Sequence, residues 1–98
     1  MITSNISDNF NNKKILITGG SGFIGGHLVR RLLNETNSLI FNIDKLNYAS
    51  DNKSIIKLEE SQKRYFLYEI DLKDSPLVEK AINEIKPDLI FHLAAETH

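Results

Sequence analysis

The chain contains no cysteine. Disulfide cross-links and thiolate chemistry are therefore excluded, and the composition suits the reducing environment of the cytoplasm. An excess of charge of either sign is also missing, since 12 Lys and Arg stand against 13 Asp and Glu. A nucleic acid or an anionic membrane surface would find no basic field to hold it. No apolar run comes near the roughly 20 residues needed to span a bilayer. The opening stretch Met1–Asn12 (MITSNISDNFNN) has neither the basic start nor the apolar core of a signal peptide. It is polar and rich in Asn, and it reads as a frayed extension without a functional role. What remains is a chain of 98 residues, 41% of them hydrophobic. That is enough for one small domain with a core, at a length where stability is modest.

Hydrophobic periodicity divides the rest into alternating elements. Lys14–Thr18 (KILIT) is a short apolar run rich in β-branched residues and stopped by Gly19-Gly20, the pattern of a buried strand. Over Phe23–Asn34 the period changes. Ile24, Leu28 and Leu32 recur at helical spacing, Val29 and Leu33 widen the stripe, and His27, Arg30, Arg31 and Asn34 fall largely outside it. Leu39–Ile43 is a second strand, ending at Asp44. Tyr48–Ser61 suggests a short helix through Ile55, Ile56 and Leu58, capped by Ser50 or Asp51. Arg64–Ile70 is a third strand. A helix is expected after Asp74, with Ser75 as its cap, Pro76 at its first position and Pro87 closing it. Asp88–Leu93 is a fourth strand. The order βαβαβαβ predicts an α/β fold, a Rossmann-like, doubly wound parallel sheet of strand order 3-2-1-4 that stops after strand 4. The ligand crevice of such a sheet lies at the carboxyl ends of strands 1 and 4.

Thr18-Gly19-Gly20-Ser21-Gly22-Phe23-Ile24-Gly25 fills the turn between the first strand and the first helix. It reads as GxxGxxG on Gly19, Gly22 and Gly25, or as GxGxxG on Gly20, Gly22 and Gly25. Either way the early glycines permit a tight turn, Gly22 lets backbone approach a pyrophosphate, and Gly25 lets the helix pack close to the strand. The helix N-terminus adds unpaired N–H groups and a partial charge of roughly +0.5. A flexible surface turn is the plain alternative, but strand before, helix after and an acid beyond the next strand are the context that dinucleotide binding requires. That acid is Asp44, about 20 residues past the turn, where a carboxylate accepts from the adenosine ribose hydroxyls and repels a 2′-phosphate. NAD is thus favoured over NADP, with Lys45 as the counter-argument because a cation there would welcome the phosphate. Asp71, ending the third strand, is placed with Leu72 to meet the adenine, or else is a solvated turn residue. His92, in mid-strand, reads as a satisfied core histidine. No metal site is expected.

These residues resemble the extended short-chain dehydrogenase/reductase family, whose nucleotide-sugar enzymes carry TGGxGFIG after the first strand. Asp44-Lys45-Leu46-Asn47-Tyr48-Ala49 is similar to the DKLTYA segment of the dTDP-glucose 4,6-dehydratases, and His92-Leu93-Ala94-Ala95-Glu96-Thr97-His98 to their HLAAESHVD segment. The resemblance runs from about Lys14 to His98 and implies a set of roles. Phe23 and Ile24 would lie against the pyrophosphate through their backbone. Asp44, Lys45, Leu46 and Asn47 would line the adenosine pocket, and Asp71 and Leu72 would meet the adenine. Leu93, Ala94, Ala95 and Glu96 would pass beneath the nicotinamide half. Thr97 stands where the family has a serine touching the sugar and keeps its hydroxyl, and His98 would be near the same site. Without the resemblance, Ala94 and Ala95 are plain packing and Glu96 is a loop acid.

The family's reaction oxidises the sugar at C4 with NAD, eliminates water across C5 and C6, and returns the hydride at C6, using a Tyr-x-x-x-Lys pair and an Asp-Glu pair. Neither is in sight here: Tyr48, Tyr65 and Tyr68 are followed four residues on by Asn52, Glu69 and Leu72. The expectation is the amino-terminal part of an NAD-binding domain over residues 13–98. No substrate domain and no catalytic residue of its own are expected, nor turnover by these residues alone. A dTDP-glucose substrate and a homodimer for the whole protein complete what the resemblance implies. Another nucleotide-sugar epimerase or decarboxylase, a non-catalytic nucleotide-binding module and a remnant without a stable fold are the competing readings.

Overall fold

The computed structural model describes residues 9–20, 22–46, 57 and 63–93. Within them the elements run β1 (Lys14–Thr18), α1 (Phe23–Glu35), β2 (Leu39–Asp44), β3 (Tyr65–Glu69), α2 (Ser75–Ile85) and β4 (Leu89–His92). The helix expected over 48–61 lies, apart from Lys57, outside the described residues. All pairings are parallel and the sheet order is β3-β2-β1-β4, as the alternation of strand and helix predicts. Chain order reverses between β1 and β4, so the switch point falls beside the glycine turn.

β1 is apolar on both faces because both faces are covered. Ile15 and Ile17 join Val29, Leu32 and Leu33 of α1, with Ile40, Leu46 and Tyr65, in one core cluster. Leu16 points the other way, to Ile43 and to Ala81 and Ile85 of α2. The two helices therefore cover opposite faces. Each aliphatic side chain so buried contributes about 1.5–3 kcal/mol. On the α2 face Phe41 stacks on Phe66 with ring centroids 4.9 Å apart. Ile90 of β4 remains 53% exposed.

Sequence and structure differ at the start of α2, at His92 and at residues 9–12. The cap of α2 is Asp74, whose side chain accepts from the Leu77 N–H; Ser75 is already helical. Aspartate wins because its carboxylate is one residue further back, where it can reach the first-turn donors. His92 is exposed rather than part of the core, although its Nδ1 shares a 2.6 Å hydrogen bond with Thr18 Oγ1 on the neighbouring strand. Finally, residues 9–12 do not fray. The Asn37 side chain accepts from the Asn12 N–H at 2.7 Å, the Asn37 N–H donates to Asn11 Oδ1 at 2.8 Å, and Ser38 Oγ donates to the Phe10 carbonyl. Phe10 packs on Phe91 at 6.0 Å between centroids. The asparagine-rich composition that suggested disorder supplies the donors and acceptors of this docking.

Candidate functional site

The glycine turn follows β1 and is fastened to β2. The Gly19 N–H donates to the Ile43 carbonyl at 3.0 Å, and the Gly20 N–H donates to Asn42 Oδ1 at 2.8 Å. Gly19 has φ 81, a conformation that side chains disfavour. At Gly25 the reason for glycine is space. A Cβ there would collide with the Gly19 carbonyl oxygen and lie 2.7 Å from Gly20 Cα. Gly22 differs. Its φ of −74 and ψ of 178 suit any residue, and among the described residues a Cβ would meet only the Gly19 oxygen, at an ordinary 3.5 Å. Neither backbone nor packing in the described chain calls for glycine at this position. Gly22 is also the N-cap of α1 and has no side chain to offer the first-turn N–H groups, and that turn carries no acid. Ile24, expected on the buried stripe, is 71% exposed beside the turn.

Two acids stand at adjoining strand ends. Asp44 closes β2, one residue after the carbonyl that tethers Gly19, and its Oδ1 accepts from the Leu46 N–H at 3.0 Å. That bond holds Leu46 at φ 56, and the Leu46 side chain turns into the core with Ile15, Ile17 and Val29. Asp71 follows β3, where the Ile70 N–H donates to the Asp44 carbonyl at 3.1 Å. Asp71 Oδ1 accepts from the Lys73 N–H, and its Oδ2 lies 3.8 Å from Lys45 Nζ. Lys45, the residue that argued for a 2′-phosphate, thus has a carboxylate neighbour already. Leu72 is half-buried against the α2-side core. Leu93 extends the β4 ladder, its N–H donating to the Thr18 carbonyl at 2.9 Å.

The structure brings Gly19, Gly22, Gly25 and Ile24 together at one end of the sheet, with Asp44, Lys45, Asp71 and Leu93 at the same carboxyl ends of the strands. Of Phe23 only its place as the first residue of α1 is described. Asn47, Ala94, Ala95, Glu96, Thr97 and His98 lie outside the described residues. Asn42 and Tyr65 were not anticipated. The signal was available, because a lone asparagine inside the strand LIFNID must find a partner when buried.

Comparison with known proteins agrees with this arrangement. The family model described as GDP-mannose 4,6 dehydratase matches residues 16–98. The chain is 44% identical to the dTDP-glucose 4,6-dehydratase of Haemophilus influenzae over 84 residues, which cover 86% of this chain and 25% of that protein. The dTDP-glucose 4,6-dehydratase of Bacillus anthracis, solved in complex with NAD, superposes with a TM-score of 0.71 at 29% identity, over 85% of this chain and 27% of that one. A UDP-Glc/GlcNAc 4-epimerase from Campylobacter jejuni gives a TM-score of 0.72 at 33% identity, over 87% of this chain and 25% of that one. The chain spans about a quarter of the length of the curated relatives it matches. Among the described residues no helix is long and apolar enough to cross a membrane. With its strand order, its glycine turn and its match over residues 16–98, the chain belongs to the GDP-mannose 4,6-dehydratase family.

Proposed function

We propose that the chain is the NAD-holding, amino-terminal part of a cytoplasmic dTDP-glucose 4,6-dehydratase, which converts dTDP-glucose to dTDP-4-dehydro-6-deoxyglucose and water. The observation that carries this reading is the start of α1. It is a helix N-terminus without a side-chain cap at Gly22, at a glycine that nothing described in the chain requires. A pyrophosphate passing against that backbone supplies the missing reason, since a Cβ would hold it off. Gly19 and Gly25 shape the turn, and the Phe23 and Ile24 N–H groups face the phosphates. Asp44 takes the ribose hydroxyls. Lys45 has the Asp71 carboxylate beside it at 3.8 Å, and Leu46 contributes backbone because its side chain is in the core. Asp71 and Leu72 border the adenine. Leu93 to Glu96 and Asn47 complete the cofactor's surroundings, with Thr97 and His98 toward the sugar. Bound NAD supplies a reversible hydride acceptor for the sugar's C4.

Nothing among the 98 residues forms a Tyr-x-x-x-Lys pair, so turnover is proposed for this part joined to later catalytic groups and not for it alone. Dimer formation of the whole protein is part of the same proposal. The epimerase reading is favoured by the equal likeness of solved epimerases, the Campylobacter structure among them. The segments Asp44–Ala49 and His92–His98, together with 44% identity to a curated dehydratase, outweigh it. Calorimetric titration of the chain tests the cofactor assignment. Saturable NAD binding is expected, with NADP at least tenfold weaker. An absence of binding, or a preference for NADP, overturns it.

A further inference from the structure

Asn42 is fully buried in the middle of β2, paired to Ile17 of β1 on one side and Leu67 of β3 on the other. Asparagine is a poor strand residue, and the ladder uses only its backbone. Its side chain has a different task. Oδ1 accepts from the Gly20 N–H at 2.8 Å and Nδ2 donates to the Tyr65 hydroxyl at 2.8 Å. Tyr65 is itself 1% exposed. The orientation of the amide is fixed, because a backbone N–H can only donate. Contact with the turn is close. A Cβ on Gly20 would lie 2.6 Å from Asn42 Oδ1, so the turn rests directly on the asparagine. The neighbouring Gly19 N–H is tied to the Ile43 carbonyl, so β2 holds the turn by one backbone bond and one side-chain bond in succession.

We propose that Asn42, braced by Tyr65, is a positioning residue for the dinucleotide. It sets the height of the Gly19–Gly25 backbone over the sheet, and thereby the place of the α1 N-terminus under the pyrophosphate, without touching the ligand. The inference rests on the cofactor assignment above. A buried network with its members paired holds one geometry. Removing its centre leaves the Gly20 N–H without that acceptor and frees the turn to shift, while Asp44 and the strand ends that border the adenosine stay in place.

The test compares the unaltered chain with Asn42→Leu and Tyr65→Phe. NAD, ADP and adenosine are titrated, and amide hydrogen exchange is read by NMR. For Asn42→Leu, NAD and ADP affinities should fall at least tenfold and adenosine affinity less than twofold. Protection should drop at the Gly20 amide and persist at the amides of α2. Tyr65→Phe, which removes the hydroxyl that braces Asn42, should show the same pattern at about threefold, and it keeps the test decisive if Asn42→Leu does not fold. Equal losses for ADP and adenosine would mean a general structural role and would overturn the proposal. Unchanged NAD affinity with lost Gly20 protection would overturn it too. Failure of the unaltered chain to bind NAD would instead sink the cofactor assignment, and the positioning role with it.

Discussion

Helix α1 starts at Gly22, with no side chain at its N-cap and no acid in its first turn, whereas α2 starts at Asp74, whose carboxylate accepts from the Leu77 N–H, with proline in its first turn. Both helices present the same problem, a cluster of N–H groups without helical partners and a partial positive charge. At α2 the chain answers it locally. At α1 glycines at the turn let backbone come close, and no capping side chain is supplied. The difference teaches where to look for a ligand. A start that is closed by its own sequence needs nothing further, while a start left uncapped beside a switch point fits an anion from outside.

Gly25→Ala should break the α1 side hardest. In an ordinary helix interior this change stabilises by about 1 kcal/mol. Here the new Cβ meets the Gly19 carbonyl and Gly20 Cα, backbone atoms that cannot rotate away, and overpacking of this kind costs about 1–3 kcal/mol. With the upper part of that range, a net loss of about 2 kcal/mol is expected, which lowers the Tm by roughly 10 °C. NAD binding should disappear with the displaced turn. A rise in Tm would show that α1 can slide away from the turn, and close packing would no longer explain the glycine.

Gly22→Ala should separate ligand from fold. Its backbone angles suit alanine, and a Cβ would meet the Gly19 oxygen at an ordinary contact distance. The Tm should therefore stay within roughly 3 °C, since the small preference for glycine over alanine at an N-cap and the stiffer unfolded chain offset one another. NAD affinity should fall at least tenfold, about 1.4 kcal/mol. If stability falls and affinity does not, Gly22 serves the fold and the asymmetry between the helices loses its functional meaning.

Much of this was legible beforehand because local chemistry and global fold agree. The apolar run of β1, the stripe of α1 and the glycine turn each specify one structure, and the strand order follows from their alternation. The unreadable parts are those decided by tertiary contact. Ile24 fits the helical stripe, yet in the first turn of α1, beside the glycine turn, it is exposed. Leu46 is placed at the adenosine pocket only by the family resemblance, and nothing in the sequence pattern shows that its side chain joins the core while its N–H donates to Asp44. Residues 9–12 look unstructured by composition and are docked by the loop at Asn37 and Ser38, some 25 residues away. Asn42 is a lone polar residue in an apolar strand, but its partners Gly20 and Tyr65 lie 22 and 23 residues off on either side, a distance that periodicity does not bridge.

The smallest effect belongs to α2 and decides where its start lies. Sequence preference favours Ser75 as cap, the structure Asp74, and the two assignments predict opposite pairs of results. With Asp74 as cap, Asp74→Ala costs about 1 kcal/mol, a drop of roughly 4–8 °C in Tm for a chain of this size. Asp74→Ser should recover most of it, because a hydroxyl accepts from the same N–H. Ser75→Ala should change little, since Ser75 already has helical backbone and its own N–H donates to the Lys73 carbonyl at 3.1 Å. None of these variants should move NAD affinity by more than twofold, because α2 covers the opposite face of the sheet from α1. If Ser75→Ala is the costly one, the helix begins a residue later. If Asp74→Ala weakens NAD binding, the capped end of α2 is not separate from the site and the contrast between the two helices fails at its second member.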